Sequence, residues 1–519
     1  MAIPVTKWSN TYMHSFYLLK TTQRGIFLAL TGLILLCYAC RIPHSAQYIQ
    51  KKYAPEKLLQ DFDIVLKTYQ TNHPSYNWYT SKDSVDERFA QVRNNIQDSL
   101  TESEFRAKLA YAVALIRCGH TSVMASKAYR EASKTVREPI FPLIVKVWQS
   151  DSMVVLQNLL GDSTPLNRGT VITSINEVPV SELLTQMKEY TSTDGYYDGF
   201  RDIQVGAGFA PRFKWLYGLP SKYRIVYLDS NGSKAQTTIP NYIPKKDSLS
   251  LLVKIQTLPV NPKPAIQKRE TLGNLKIDTA NSLAIMTLNS FSAAGFRKFI
   301  RNSFQKIRAN NLENMVIELR GNGGGKIHNS TYLTRFIIDK PFSVADSASA
   351  KNLKLAYPRY TQAAWIYKYF RWLFVKKQSD GRYHLQKTER RIYNPLKSGH
   401  FKGQLYVITG GATFSASTLF LGKVLHQNNV TIVGEETGGG ARGNSAIMVP
   451  KVTLPNTGVQ VRLPLFRLIS DASLPNNGRG IMPSVPVPPN SYYIKNDMDP
   501  KMEKVIELIL LRQQKGTSN

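Results

Sequence analysis

Residues 403–440, GQLYVITGGATFSASTLFLGKVLHQNNVTIVGEETGGG, constrain this chain more than any other stretch. A short apolar run from Leu405 to Ile408 meets a Gly-Gly turn, and Ser415 follows, expected to be exposed. A helix with Leu421, Val424 and Leu425 on one side comes next, then a second run from Thr431 to Val433. Strand, helix and strand at this spacing make a βαβ unit, which requires a parallel sheet with crossover helices. The turn sets a serine at a helix N-terminus, where unpaired N–H groups and the positive dipole end suit a developing oxyanion. A serine in front of a helix is also the usual N-cap, so this residue alone does not choose between catalysis and capping.

Two further segments bear on that choice. Asn314 to Gly325, NMVIELRGNGGG, is another buried strand running into a glycine-rich turn, where backbone N–H groups can approach a ligand with no Cβ in the way. Arg117 to Thr121 reads RCGHT, just past an apolar helix. With TFSAS, these segments resemble the tail-specific or C-terminal processing family of serine peptidases, whose "strand, LRxNxGG" and "(T/A)-x-SAS" segments stand in this order. RCGHT resembles the histidine segment of the branch that includes the tricorn protease core and the repeats of the interphotoreceptor retinoid-binding protein.

The resemblance runs from about Tyr53 onward. It implies a ClpP/crotonase-like α/β protease domain with Ser415 as nucleophile, His120 as general base, and the Gly324 and Ala416 amides as oxyanion hole. A serine hydroxyl needs such a base within hydrogen-bond reach, and an imidazole near neutrality suits the task. The lysine that activates the serine in bacterial C-terminal processing enzymes has no counterpart, because Gly440 stands at its place. The glutamate that orients the histidine in the tricorn-like branch is replaced by Asn477, and Ser484 replaces a late aspartate. An asparagine can accept an imidazole N–H and fix the tautomer, though it stabilises an imidazolium less than a carboxylate does. Glu435, Glu436 and Asp471 are alternative partners.

Composition bounds the remainder. The 519 residues exceed one core, and 42% hydrophobic with 20% charged residues is ordinary for globular protein. The formal net charge of +31 implies a polyanionic partner. No helix-turn-helix, zinc-finger or RNP-like pattern supports nucleic acid. Lys7, Lys20 and Arg24 precede an apolar run, Gly25 to Ala39, that is shorter than the roughly 20 residues of a membrane span. This reads as a signal with lipidation at Cys40, or as an uncleaved anchor, and either places the body outside the cytoplasm. Of three cysteines only Cys118 lies beyond the signal region, which excludes a disulfide framework; neither metal nor organic cofactor is expected. Cys118 reads as a buried small hydrophobe.

Along the chain, residues 1–40 form the signal or anchor and 50–128 a helical domain. In the latter, Leu59, Phe62, Leu66 and Tyr69 share a face, and Ser84 with Glu87 and Thr101 with Glu104 make capping boxes. Residues 130–245 turn to short β-runs, and Gly169 to Leu184 looks like the core of a PDZ domain, a fold that binds chain ends by strand addition. Tyr190 to Leu219 reads as an insertion there. A proline-marked linker (246–272) leads to the protease domain (273–515). Within it, residues 340–402 carry WIYKYFRWLFVKK, either a helical insertion packed on the core or a basic aromatic lid. His328, just past the GGG turn, is a candidate substrate contact. The expected function is a membrane-tethered serine endopeptidase of the cell envelope acting on polypeptides. The alternative is an inactive peptide-binding protein of the same fold. An α/β-hydrolase esterase is disfavoured, since TFSAS lacks the glycine-flanked nucleophile elbow.

Overall fold

A computed structural model describes residues 44–149, 152–244 and 272–517. The signal or anchor, Cys40 and almost all of the expected linker lie outside the described residues.

The C-terminal half is built on a six-stranded sheet ordered Gly273–Asp278, Leu283–Leu288, Asn314–Glu318, Gln404–Thr409, Val430–Gly434, Val485–Pro486. The first pair is an antiparallel hairpin and every other pairing is parallel. Parallel strands are covered on both faces, which explains their continuous apolar runs. On one face Met286, Ile317, Val407 and Ile432 pack under Ile300 and Phe304 of the helix Phe296–Ala309 and Phe420 and Val424 of the helix Ala416–Val424. On the other, Val316, Tyr406 and Val433 meet Val505 and Ile509 of the C-terminal helix Pro500–Thr517. The expected α/β class and βαβ order hold.

Among the described residues, five helices precede the β-rich part, His44–Ile49, Pro55–Asn72, Lys82–Asn94, Glu102–Ala114 and Lys127–Ala132. The capping box of Thr101 with Glu104 is present. That of Ser84 is not: Ser81 caps the helix by accepting from the Ser84 amide, so the helix starts one turn earlier. Leu58, Phe62, Val65 and Tyr69 form the buried stripe, with Leu59 and Leu66 at its margin. Pro55–Asn72, Lys82–Asn94 and Glu102–Ala114 share a core with Val452, Val461 and Phe466 from the far end of the chain. Val123–Met124 extends that joint by pairing with Gln460–Arg462, which pairs with Lys451–Thr453.

Asp61 fixes the joint electrostatically. Fully buried, its carboxylate accepts from the amides of Asn456 and Thr457 at 3.1 and 2.8 Å and from the Thr457 hydroxyl at 2.7 Å. Asp61→Ala strands several buried donors and is expected to lower stability by about 3 kcal/mol, read as a fall in urea midpoint. Asp61→Asn, which keeps an acceptor, should lose less.

Between these parts, residues 143–240 form a six-stranded antiparallel sheet ordered Leu143–Trp148, Ser152–Asn158, Val171–Ile175, Lys222–Leu228, Lys234–Pro240, with the short Val178–Pro179 paired to Val171–Ile175 off that path. The helix Val180–Lys188 packs on it through Leu183, Leu184 and Met187. The expected insertion contributes two helices, Gly199–Ala207 and Phe209–Tyr217, to the same core. The 340–402 segment is more than a helix. Ser347–Ala350 and Tyr383–His384 join a sheet with Gly443–Ile447 and Phe466–Ile469, and the aromatic helix spans Ala364–Phe374.

Candidate active site

Ser415 ends the turn after Gln404–Thr409 with φ 56° and ψ −118°, a conformation rare for a residue with a Cβ. Its side chain makes no capping bond. Instead Oγ lies 3.1 Å from Nε2 of His120. The serine is only 9% exposed, against the expectation of an open one, because glycine turns press on it from two sides. A Cβ on Gly324 would lie 2.7 Å from the Ser415 Cβ, and one on Gly439 would lie 3.0 Å from the Ser415 amide.

His120 is delivered by the loop after Glu102–Ala114. A Cβ at Gly119 would stand 2.5 Å from the Phe414 ring, so only glycine lets this loop pass. The imidazole lies against Phe414 with centroids 4.9 Å apart, and Phe414 stacks on Phe200 at 4.4 Å. Burial, with the Arg462 charge adding, lowers His120 to about 3. The ring is therefore neutral at pH 7. Nδ1 is buried with no hydrogen-bond partner.

Asn477 does not supply that partner. It is exposed, and its Oδ1 accepts from the Arg479 amide at 3.1 Å in a local turn. Glu436 holds Arg479 and the Gly480 amide, Glu435 pairs with Lys501, and Asp471 accepts from the Ser473 amide. Ser484 accepts from the Ile432 amide. None of these turns toward the imidazole, because each is committed to shaping its own loop.

The carboxylate beside His120 is Asp194, which the sequence reading passed over. Its Oδ1 accepts the Gly119 amide at 2.8 Å, the Gly440 amide also reaches the carboxylate, and Oδ2 is buried without a partner. A ring nitrogen of His120, a carboxylate oxygen of Asp194 and Sγ of Cys118 lie within 4.8 Å of one another. Burial raises Asp194 to about 7. Gly440, at the place of the absent lysine, is part of the same arrangement: a Cβ there would stand 4.0 Å from that of Asp194. The only sequence signal for Asp194 was its TDG turn inside the supposed insertion.

Cys118, His120 and Asp194 also form a group with the donor types of a metal site, which the sequence spacing did not show. Burial pushes the Cys118 thiol up to about 12, and a thiol must ionise to bind metal well. The same shift makes it a poor nucleophile.

Of the two expected oxyanion donors, the Gly324 amide donates to Asn322 Oδ1 at 2.9 Å, so it is not free in this conformation. Asn322 is fully buried and pins the glycine turn, since Nδ2 donates to the Leu288 carbonyl and its own carbonyl accepts the Phe414 amide. The Ala416 amide is the first of its helix, where no intrahelical carbonyl can take it. His328 is exposed on the helix Ile327–Thr334. A cavity of about 440 Å³ lies between the β-rich part and the parallel sheet, lined by Lys146 and Trp148 on one side and by Gly410, Gly411, Glu435 and Arg479 on the other; Ser415, His120 and Asp194 do not line it.

The parallel α/β core thus brings a serine at a strained helix entry against a neutral histidine, the pairing that nucleophilic acyl transfer requires. Residues 282–487 match the family model described as Peptidase family S41, which supports the tail-specific peptidase resemblance. In fold, 90% of this chain covers 99% of a structure of mature CPAF complexed with lactacystin, at 13% identity and a TM-score of 0.63. A second structure of mature CPAF aligns at 12% identity and a TM-score of 0.60, covering 87% of this chain and 96% of that one. The photosystem II D1 C-terminal processing protease aligns more loosely, at 13% identity and a TM-score of 0.39 over 86% of this chain and 99% of that one. No curated protein matches the chain at significant similarity.

Proposed function

We propose that the protein is a serine endopeptidase of the cell envelope that cleaves polypeptides through an acyl-enzyme on Ser415. The observation that carries this reading is the 3.1 Å approach of the Ser415 hydroxyl to the neutral His120 imidazole. Ser415 Oγ attacks the scissile carbonyl while Nε2 takes its proton. The Ala416 amide, at the positive end of its helix, meets the oxyanion, and Gly324 joins once its amide is shared with Asn322. Nε2 then protonates the leaving amine, and water, deprotonated by the same nitrogen, releases the acyl group. The PDZ-like sheet guides an extended chain toward the serine. The basic flank and apolar run before residue 40 tether the enzyme, with lipidation at Cys40 one way of doing so.

Because Nε2 must accept, Nδ1 carries the hydrogen, and a buried N–H needs an acceptor. We assign that role to Asp194, which fixes the tautomer and stabilises the imidazolium in place of the missing glutamate. The pair closes to hydrogen-bond length as the complex forms. Asp194 must be ionised to work, so activity rises with pH through about 7. Asp194→Asn is expected to cut kcat about 10²-fold or more and to erase that rise, while Asp194→Glu restores part of both. An unchanged pH profile in Asp194→Asn overturns the assignment while leaving the Ser–His reading intact.

The reading itself is tested by casein hydrolysis and fluorophosphonate labelling of wild type, Ser415→Ala and His120→Ala. Wild-type activity and labelling that vanish with Ser415→Ala support the peptidase. Inertness of the wild type toward both favours the peptide-binding alternative, for which the engaged Gly324 amide is the specific argument.

A further inference from the structure

The segment from Lys351 to Lys402 holds thirteen Lys and Arg against two Asp and Glu, which makes it the source of about a third of the chain's net charge of +31. Both acids, Asp380 and Glu389, are held by His384. Within this segment the helix Ala364–Phe374 turns a stripe of large side chains outward: Trp365, Tyr369 and Leu373, at i, i+4 and i+8, are 68%, 63% and 59% exposed. Lys368 beside the stripe and Lys376 and Lys377 just past its end are exposed as well. The helix is nonetheless anchored, since Ala364 and Tyr367 pack on the core shared with the N-terminal helices. An exposed stripe with tryptophan and tyrosine, flanked by lysines and too short to cross a bilayer, has the make-up of a helix lying in the headgroup region.

Its position relative to the chain's start names the occupant. Thr361, just before the helix, bridges Val452 in the strand Lys451–Thr453. That strand pairs with Gln460–Arg462, which pairs with Val123–Met124. Directly after Val123–Met124 the helix Lys127–Ala132 packs on His44–Ile49, with Tyr48 and Ser126 hydroxyls 3.4 Å apart. The root of the aromatic helix and the entry of the described chain therefore stand at opposite edges of one three-stranded sheet, a span of about 10 Å. Forty-three residues precede that entry, and they contain the apolar run Gly25 to Ala39 with its basic flank.

We infer that the helix Ala364–Phe374 is a second membrane contact, which seats the peptidase on an anionic phospholipid surface. The lysines meet phosphate headgroups, the aromatic and leucine side chains enter the acyl boundary, and the tether upstream of His44 brings both to the same bilayer. This holds whether or not Ser415 is catalytic.

The test uses the full chain in vesicles of phosphatidylcholine, with or without one-third phosphatidylglycerol, carrying brominated acyl chains that quench nearby tryptophan. The expected result is stronger quenching of wild type than of Trp365→Phe on the anionic vesicles. That difference should vanish without phosphatidylglycerol, at high salt, and in the combined Lys368→Gln, Lys376→Gln, Lys377→Gln variant. Equal quenching of wild type and Trp365→Phe on anionic vesicles overturns the proposal. So does protection of Trp365 from aqueous iodide by casein instead of by vesicles, which would make the helix a substrate contact.

Discussion

Removing Ser415 and His120 together is expected to lower kcat by no more than removing Ser415 alone, about 10⁴- to 10⁶-fold in either case. The two side chains serve one event, the passage of a single proton from Oγ to Nε2 across 3.1 Å. Without the imidazole the hydroxyl stays protonated and attacks poorly. Without the hydroxyl the imidazole has no proton to take. Residual turnover, about 10³-fold above water, would come from substrate positioning and the amides at the helix start. Single- and double-variant kinetics on one peptide substrate check this. Losses that multiply would show that the residues act in separate steps, and the 3.1 Å contact would then be structural.

The α/β core was legible because buried parallel strands are written as apolar runs, and Asn314–Glu318 and Gln404–Thr409 each run into a glycine turn. The meeting of Ser415 and His120 was legible only through the resemblance, since no periodicity joins residues from opposite ends of a chain. Asp194 escaped because its place depends on a loop closing over another loop. The Gly195 amide binds the Arg117 carbonyl, and the Gly119 amide binds the Asp194 carboxylate. Neither contact leaves a pattern in sequence. Asn477 was misjudged for a related reason: a motif position was matched, while the side chain there closes its own Asx turn with Arg479. Ser84 was outcompeted by Ser81, an equally good cap three residues earlier, and in the helix Pro55–Asn72 the buried side chains Leu58 and Val65 show which rotation the core selected.

Gly324→Ala is expected to abolish most activity while leaving the chain folded, with a loss of about 10²- to 10³-fold in kcat. Gly324 has φ +98°, a region an alanine enters only under strain. Its new Cβ would lie 2.7 Å from the Phe414 carbonyl, 2.7 Å from the Ser415 Cβ and 2.8 Å from the Ala416 amide. All three belong to the serine's own turn, two of them backbone atoms, so no side-chain rotation relieves the clash. Either the Asn322-pinned turn or the Ser415 turn must move, and each movement separates an oxyanion donor from the nucleophile. The contrast with Gly323 isolates this effect, since a Cβ there meets nothing within 4 Å. Gly323→Ala should therefore keep near wild-type kcat, and both variants should keep the wild-type unfolding free energy to within about 2 kcal/mol. Equal activity of Gly324→Ala and Gly323→Ala would mean that the glycine turn does not set the oxyanion geometry. Loss confined to Gly324→Ala, with KM little changed, would place the defect in the transition state, because a donor shifted by a fraction of an ångström is felt most where charge develops.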